Sequence, residues 1–394
     1  MNEVKLGEVS IVQRGLTFSK KDTTDYSKNI VLRATNIDLR SGNLDLDELK
    51  YLKDDFVYDQ KYKLEKSSIL ICFSSGSKSH LGKVAFVEND IEMAYGGFIG
   101  KITPKETIDP KYLFYNLRSE EYIKYIGRLT DGANINNLKM VDLLNYSLRL
   151  PPLSEQKQIV ETLDKAFEKI DKAITNIERN IENAEELFKS KAKEIFNQNG
   201  SNYNQMTLGD IGKVSMCKRI LKKETNTTGG IPFYKIGTFG KKANAYISKK
   251  NYEEYRNKYS FPKKGDVLIS ASGTIGRRVI YDGEPAYFQD SNIVWIDNNE
   301  LKVLNNYLYH FYGICEWNPS KGATISRLYN DDLRRIRISF PNKEVQSKLV
   351  KQLVSLKQLS DSLYSDYIKK LNNLKELKKS ILEKAFKGEL TSAA

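Results

Sequence analysis

A heptad stripe long enough for a helix of some 40 residues occurs twice in this chain, and it limits the possible folds more than any other feature. The first copy opens at Pro151-Pro152-Leu153-Ser154 and runs to about Asn197, with apolar residues at Leu163, Phe167, Ile170, Ile174, Ile177, Ile181, Ala184, Phe188 and Ile195. From Ile170 to Phe188 the steps alternate between four and three, as in a coiled-coil seam. The second copy follows Phe340-Pro341-Asn342 and ends near Leu390, with its stripe at Leu349, Leu353, Leu356, Leu363, Tyr367, Leu374, Leu377 and Ile381. A helix of about 40 residues spans about 60 Å, more than one globular core can cover. Each stripe needs a second helix along its length, and the other copy supplies it. Ser154 and Asn342 follow the prolines and are expected to cap the two helices.

The stripes belong to a wider internal duplication. Leu6-Gly7-Glu8-Val9 opens the first half and Leu208-Gly209-Asp210-Ile211 the second. SILICFSSG at 68–76 matches DVLISASG at 266–273, and DGANINNL at 131–138 matches KGATISRL at 321–328. Gln156 matches Gln346 and Phe196 matches Phe386, so the offset holds at 190 from Gly132 to Phe196. The order is globular part, long helix, globular part, long helix. The globular parts read as short strands rich in Val, Ile and aromatics, bounded by Gly, Ser and Asn. Strands are expected at 29–33, 68–72, 82–87 and 98–103, then at 231–236, 266–270, 277–281 and 292–296. Helices are expected at 110–118 and 305–312, and 198–204 reads as a linker. The fold class is α+β: two mixed α/β domains in pseudo-symmetric tandem, separated by two long helices packed as an antiparallel coiled coil.

Charge narrows the partner. Of 394 residues, 63 are Lys or Arg and 50 Asp or Glu, a net +13. The excess is +9 over residues 200–341 and +5 over 342–394, while the first half is nearly neutral. A basic balance of this size suits a polyanion such as nucleic acid. Three separated cysteines, Cys72, Cys217 and Cys315, argue against a disulfide framework or a zinc site and for a reducing compartment. The opening MNEVKLGEVS does not read as a signal peptide, and a cytoplasmic protein is expected. No apolar run is long enough for a transmembrane helix.

Catalytic patterns are missing. There is no G-x-x-x-x-G-K-[ST] loop, and 272–277 contains only G-x-x-G. His80 and His310 lack metal-ligand spacing. Neither Pro151-Pro152 nor Asn318-Pro319 continues into the Asn/Asp-Pro-Pro-Tyr/Phe of a DNA amino-methyltransferase. No catalytic residue, metal or cofactor is expected for this chain itself.

Binding patterns recur in both halves. The loop at 74–80 offers Ser75, Ser77 and Lys78, and its match at 270–278 offers Ser272, Thr274 and Arg277. Hydroxyls, backbone N–H groups and cations at a turn are what phosphates and base edges require. A second pair of loops carries Asn134, Asn136 and Asn137 against Thr324, Ser326 and Arg327; Asn suits adenine and Arg guanine. A third candidate is a strand end with Arg33, Thr35 and Asn36, whose counterpart holds Lys235 and Thr238. Lys20, Lys21, Lys218 and Arg219 are candidate phosphate contacts. Any one such loop is also compatible with a turn that satisfies only itself; recurrence favours binding.

LPPLSEQKQIV at 150–160, with the Leu-Gly-Glu/Asp-Val/Ile openings, the strand at 266–270 and KAFKGEL at 384–390, resembles the specificity (S) subunits of type I restriction–modification systems. The resemblance covers essentially the whole chain, although NKEVQ at 342–346 departs from the usual Leu-Ser-Glu-Gln. It implies target recognition domains at 1–150 and 200–341, each reading half of a split site in double-stranded DNA. It implies conserved spacer helices at 151–199 and 342–394, with modification (methyltransferase) subunits, two of them, docked on the assembly. Methyl transfer from S-adenosylmethionine and ATP-driven cleavage would then belong to modification and restriction partners. The residues alone leave open a recognition subunit of a related DNA-modification or phage-defence system, an enzyme in its own right, and a coiled-coil interaction scaffold.

Overall fold

The computed structural model describes residues 3–130, 137–197, 202–318, 320–321 and 326–389, with only the backbone described at 130, 320, 321 and 326. The chain forms two compact units, Met1–Ile177 with Lys369–Ala394, and Glu178–Ile368. Each unit therefore holds one globular part and one end of each long helix.

In the first unit a four-stranded antiparallel sheet runs in the order Ser10–Arg14, Ile99–Pro104, Ile69–Cys72, Val84–Phe86. A five-stranded sheet lies beside it, in which Asn29–Leu32 and Ile91–Tyr95 run parallel. The strand Ile69–Cys72 explains the continuous apolar run read from the sequence. Ile69 and Ile71 join the core that contains the long helices, whereas Leu70 and Cys72 join a second core with Leu32, Leu64 and Tyr95. Residues alternate across a strand, so a strand buried on both faces must be apolar throughout.

The second unit repeats the plan. Gly212–Ser215, Ile293–Asn298, Val267–Ser270 and Arg278–Ile280 form the four-stranded sheet in the same order, and Ile231–Tyr234 runs parallel to Tyr287–Phe288. Val267 and Ile269 face one core and Leu268 the other. The eight expected strands are present to within about two residues, while Ser10–Arg14, Ile91–Tyr95, Gly212–Ser215 and Tyr287–Phe288 were not expected. The helices Glu120–Thr130 and Lys249–Lys258 are additions to that reading.

The long helices span Leu153–Phe196 and Lys343–Lys387. Asn342 caps the second, its Oδ1 accepting from Val345 N at 3.0 Å. Ser154 is not a cap: the first helix already includes Leu153, which places Ser154 inside the first turn. One glutamine roots each helix. Gln156 is fully buried, accepts from Asp109 N at 2.7 Å and donates to Pro151 O at 2.8 Å. Gln346, also fully buried, accepts from Leu304 N at 2.9 Å and donates to Pro341 O at 2.8 Å. The far end of each helix returns to the other half. Phe386 packs on Tyr112 at 5.3 Å and Phe196 on Tyr307 at 4.8 Å between ring centroids.

The helices pack antiparallel. In the first unit Leu163, Phe167 and Ile170 share a core with Leu382 and Ala385. In the second, Ala192 and Phe196 share one with Leu353. Burying each large side chain contributes about 2 kcal/mol. The second stripe differs from its sequence reading at Leu377, which is 47% exposed. The seam passes through Lys378 instead, whose ammonium lies 4.7 Å over the Phe167 ring centroid and meets Asp171 at 2.7 Å. A long cationic side chain covers apolar surface with its methylenes, so hydropathy alone misplaces it. The second unit holds the related pair, Lys357 over Phe188 at 5.8 Å, with Lys357 bridged to Asp361.

Candidate nucleic-acid interface

In each half three segments meet at one end of the four-stranded sheet. The loop after the strand Ile69–Cys72 forms an isolated antiparallel bridge, Ser74 with Asn137. Leu138 N donates to Phe73 O at 2.7 Å, and the Ser74 hydroxyl donates to the Asn137 side-chain oxygen. In the second half Ser272 bridges Arg327, and Leu328 N donates to Ala271 O at 2.9 Å. The two recurrent loops are thus brought together in both halves. Asn134, Asn136 and Thr324 lie outside the described residues, and of Ser326 only the backbone strand with Arg327 is described.

The third segment, residues 96–98 and 290–292, was missed in the sequence reading. Phe98 O accepts from Phe73 N at 2.9 Å and Ser74 N at 3.0 Å. Gly96 O accepts from Ile99 N at 2.9 Å, and Leu16 bridges Gly96 in parallel. This close approach requires glycine at position 15, where a Cβ would lie 2.3 Å from Gly96 O. In the second half Ala271 N donates to Asn292 O at 2.8 Å, and the Ser272 hydroxyl to Asn292 Oδ1 at 2.7 Å.

A guanidinium braces each junction, from a different place in the chain. Arg14 lies 4.4 Å over the Phe73 ring and donates to Leu138 O at 3.1 Å and Gly97 O at 3.4 Å. Arg327 donates to Ser291 O at 2.7 Å, the carbonyl equivalent to Gly97 O. Arg219 adds a bond from Nε to Asp290 at 2.9 Å. Arginine suits this bracing because its planar fork reaches carbonyls and an aromatic face together.

The remaining candidates divide by exposure. Lys20, Lys21, Thr35, Ser77, Lys78, Lys218, Lys235 and Thr274 are exposed, and Ser75 is half-buried. Two expected contacts are fold residues instead. Asn36 is 2% exposed; its Oδ1 accepts from Arg33 N at 2.9 Å and its amide donates to Asp45 O at 2.8 Å and Glu48 O at 2.9 Å. Thr238 does the equivalent work, accepting from Lys235 N at 3.1 Å and donating to Lys235 O at 3.2 Å. Short polar side chains close such turns on themselves. Arg277 is half-buried and held on Phe239 O at 3.0 Å. Arg33 is half-buried at the end of a strand whose Leu32 O accepts from Gly96 N at 2.9 Å, which sets it beside the third segment.

The thiols do not suit nucleophilic chemistry. Burial pushes Cys217 and Cys315 up to about 12, and Cys72 also upward. Among the described residues no cluster of His, Cys, Asp and Glu could hold a metal ion, and no helix is long and apolar enough to cross a membrane.

The chain is a duplicated α+β module on paired antiparallel helices that presents polar loops at one end of each main sheet, a tandem arrangement of two like binding surfaces. The family model described as "Type I restriction modification DNA specificity domain" matches residues 1–183 and 200–374, and the chain belongs to that family as a DNA-recognition subunit of a type I restriction–modification system. It is 46% identical over 291 residues to a Haemophilus influenzae "Putative type I restriction enzyme specificity subunit", covering 72% of this chain and 74% of that one. It is 24% identical over 429 residues to the Escherichia coli EcoKI specificity subunit, covering 98% of this chain and 88% of that one. Among solved structures, a chain from work on the complex assembly of a type I R-M system superimposes with a TM-score of 0.78 at 20% identity over 98% of both chains. The HsdS subunit of Thermoanaerobacter tengcongensis does so with a TM-score of 0.58 at 19% identity over 98% of this chain and 97% of that one.

Proposed function

We propose that residues 1–150 and 200–341 are target recognition domains that each read one half of a split site in double-stranded DNA, and that the helices of 151–199 and 342–394 set the spacing between the halves. The observation that supports this most is the three-segment junction, built twice with one backbone plan and different outward side chains. Ser74, Asn137, Ser272 and Arg327 stand there to meet base edges, with Ser75, Ser77, Thr35 and Thr274; Asn134, Asn136, Thr324 and Ser326 are assigned the same role from the sequence pattern alone. The exposed lysines Lys20, Lys21, Lys78, Lys218 and Lys235 are assigned to phosphates, which position a reader without carrying sequence.

The chain contributes recognition without catalysis. Two modification subunits dock on it and transfer the methyl group, restriction subunits join through the complex, and the assembly works in the cytoplasm. The test is a genome-wide map of methylated bases in a host carrying this chain with its neighbouring subunits, against a host lacking only this chain. A bipartite motif that disappears with the chain is the expected result. An unchanged map, or a continuous motif, overturns the reading. Affinity for the site should fall steeply with salt, since each phosphate contact releases counterions.

A further inference from the structure

Phe98 is 70% exposed at the centre of the first junction, although nothing about its backbone is loose. Its own carbonyl holds Phe73 N and Ser74 N, Gly97 O takes Arg14, and Gly96 O takes Ile99 N. The ring is therefore held out on a fixed turn, next to the Ser74–Asn137 bridge. The equivalent position in the second half is Asn292, a half-buried amide bonded to Ser272. One junction offers an apolar ring where the other offers a hydrogen-bonding group.

We propose that Phe98 is a specificity residue of the first domain and contacts the 5-methyl group of a thymine in the half-site that domain reads. This rests on the proposed function and names a base group for that site. A phenyl ring has no donor or acceptor to match to a base edge. Of the groups a base pair shows in the major groove, the thymine methyl is the apolar one, and aromatic and aliphatic side chains meet it. With its backbone already fixed, the residue gives up only two side-chain torsions on binding, which favours its use as a contact.

The experiment uses the complex assembled with its modification subunits and duplexes in which each thymine of the first half-site, on either strand, is replaced in turn by uracil. For the wild-type complex, uracil at one position should weaken binding about fourfold, the worth of one methyl group removed from water. Phe98→Ala should weaken binding to the native duplex and lose all further response to uracil at that position, while responses elsewhere persist. Phe98→Leu should retain part of the response. The proposal is overturned if Phe98→Ala binds the native duplex like the wild type, or if it responds to every uracil as the wild type does. The second pattern would describe a ring inserted between base steps, where no methyl is read. Failure of the underlying function is distinguishable, because the wild-type complex would then not separate the native duplex from a scrambled one. The ring is exposed, so an unchanged melting temperature is expected for both variants.

Discussion

The two halves agree in the backbone arrangement they hold and differ in the side chains gathered at the junctions. Gln156 and Gln346 root the long helices through the same pair of bonds, and Tyr112 and Tyr307 donate to equivalent carbonyls, Arg149 O and Ser339 O, both at 3.0 Å. Asn36 and Thr238 close the same turn with different chemistry. At the junctions, by contrast, Asn137 faces Arg327 in the alignment of the halves and Phe98 faces Asn292. A frame fixed by buried bonds lets the outward side chains change without moving it, and two such frames allow two independent readings of DNA.

The strongest test of the shared frame is a pair of core truncations. Leu163 and Leu353 are equivalent and fully buried, one in each unit. Leu163→Ala and Leu353→Ala should each cost about 2–5 kcal/mol, the transfer loss plus a cavity, followed by denaturant melts with hydrogen exchange read separately for each unit. Similar losses, each confined to its own unit, would support equal frames; a loss of under about 1 kcal/mol at either site would show that the frames are not packed alike.

Asn137→Ala and Arg327→Ala examine the outward difference. Each should cost about 1–3 kcal/mol of discrimination at its own half-site and leave the other half-site intact, as read from methylation maps of the two variants. Arg327→Ala should cost more, because the arginine also braces Ser291 O. Relaxation of both half-sites by either variant would break the division into two readers.

Legibility followed the range of the interactions. The helices and the duplication were visible because a heptad stripe and a constant offset repeat over many residues. Both recurrent loops were visible as patterns, yet their pairing was not. Ser74 and Asn137 are 63 residues apart and meet only because the strands between them fold. Phe98 was hidden for a different reason. Residues 98–103 read as one strand, whereas the ladder begins at Ile99 and leaves Phe98 on the turn before it. Arg14 was hidden because the strand Ser10–Arg14 that carries it was not expected. Asn36 and Thr238 looked like ligand-facing residues because a side chain that caps a turn and one that meets DNA have the same composition.

A smaller contrast lies in the helix pair. Lys378 pairs across the helices with Asp171, whereas Lys357 pairs along its own helix with Asp361. Lys378→Glu places like charges across the seam and should lower the stability of the first unit by about 1 kcal/mol. Lys357→Glu gives an exposed i,i+4 repulsion and gives up the longer contact with Phe188, together a few tenths of a kcal/mol. Thermal melts of the two variants should separate accordingly; equal effects would mean that Lys378 is not part of the seam.

The smallest expected effect separates the halves by pH. His310 lies three residues after Tyr307, the position that Tyr115 holds after Tyr112 in the first half. Burial, and then the Arg278 guanidinium, hold the His310 imidazole below its ordinary value of 6.5. Burial and a hydrogen bond to Asp164 push the Tyr115 phenol upward, far from neutrality. Below about pH 6.5 the unfolded chain therefore takes up a proton at His310 that the folded second unit refuses, so stability falls as the pH falls through that window. Tyr115 gives the first unit no matching loss. Hydrogen exchange at pH 7.5 and 5.8 should show protection decreasing around the helix Asn305–Tyr312 and holding around Pro110–Asn116. His310→Gln should abolish the difference, since glutamine fills the site with no charge to desolvate. If the decrease persists in that variant, another group is titrating, and the imidazole beside Arg278 is not what distinguishes the two halves in acid.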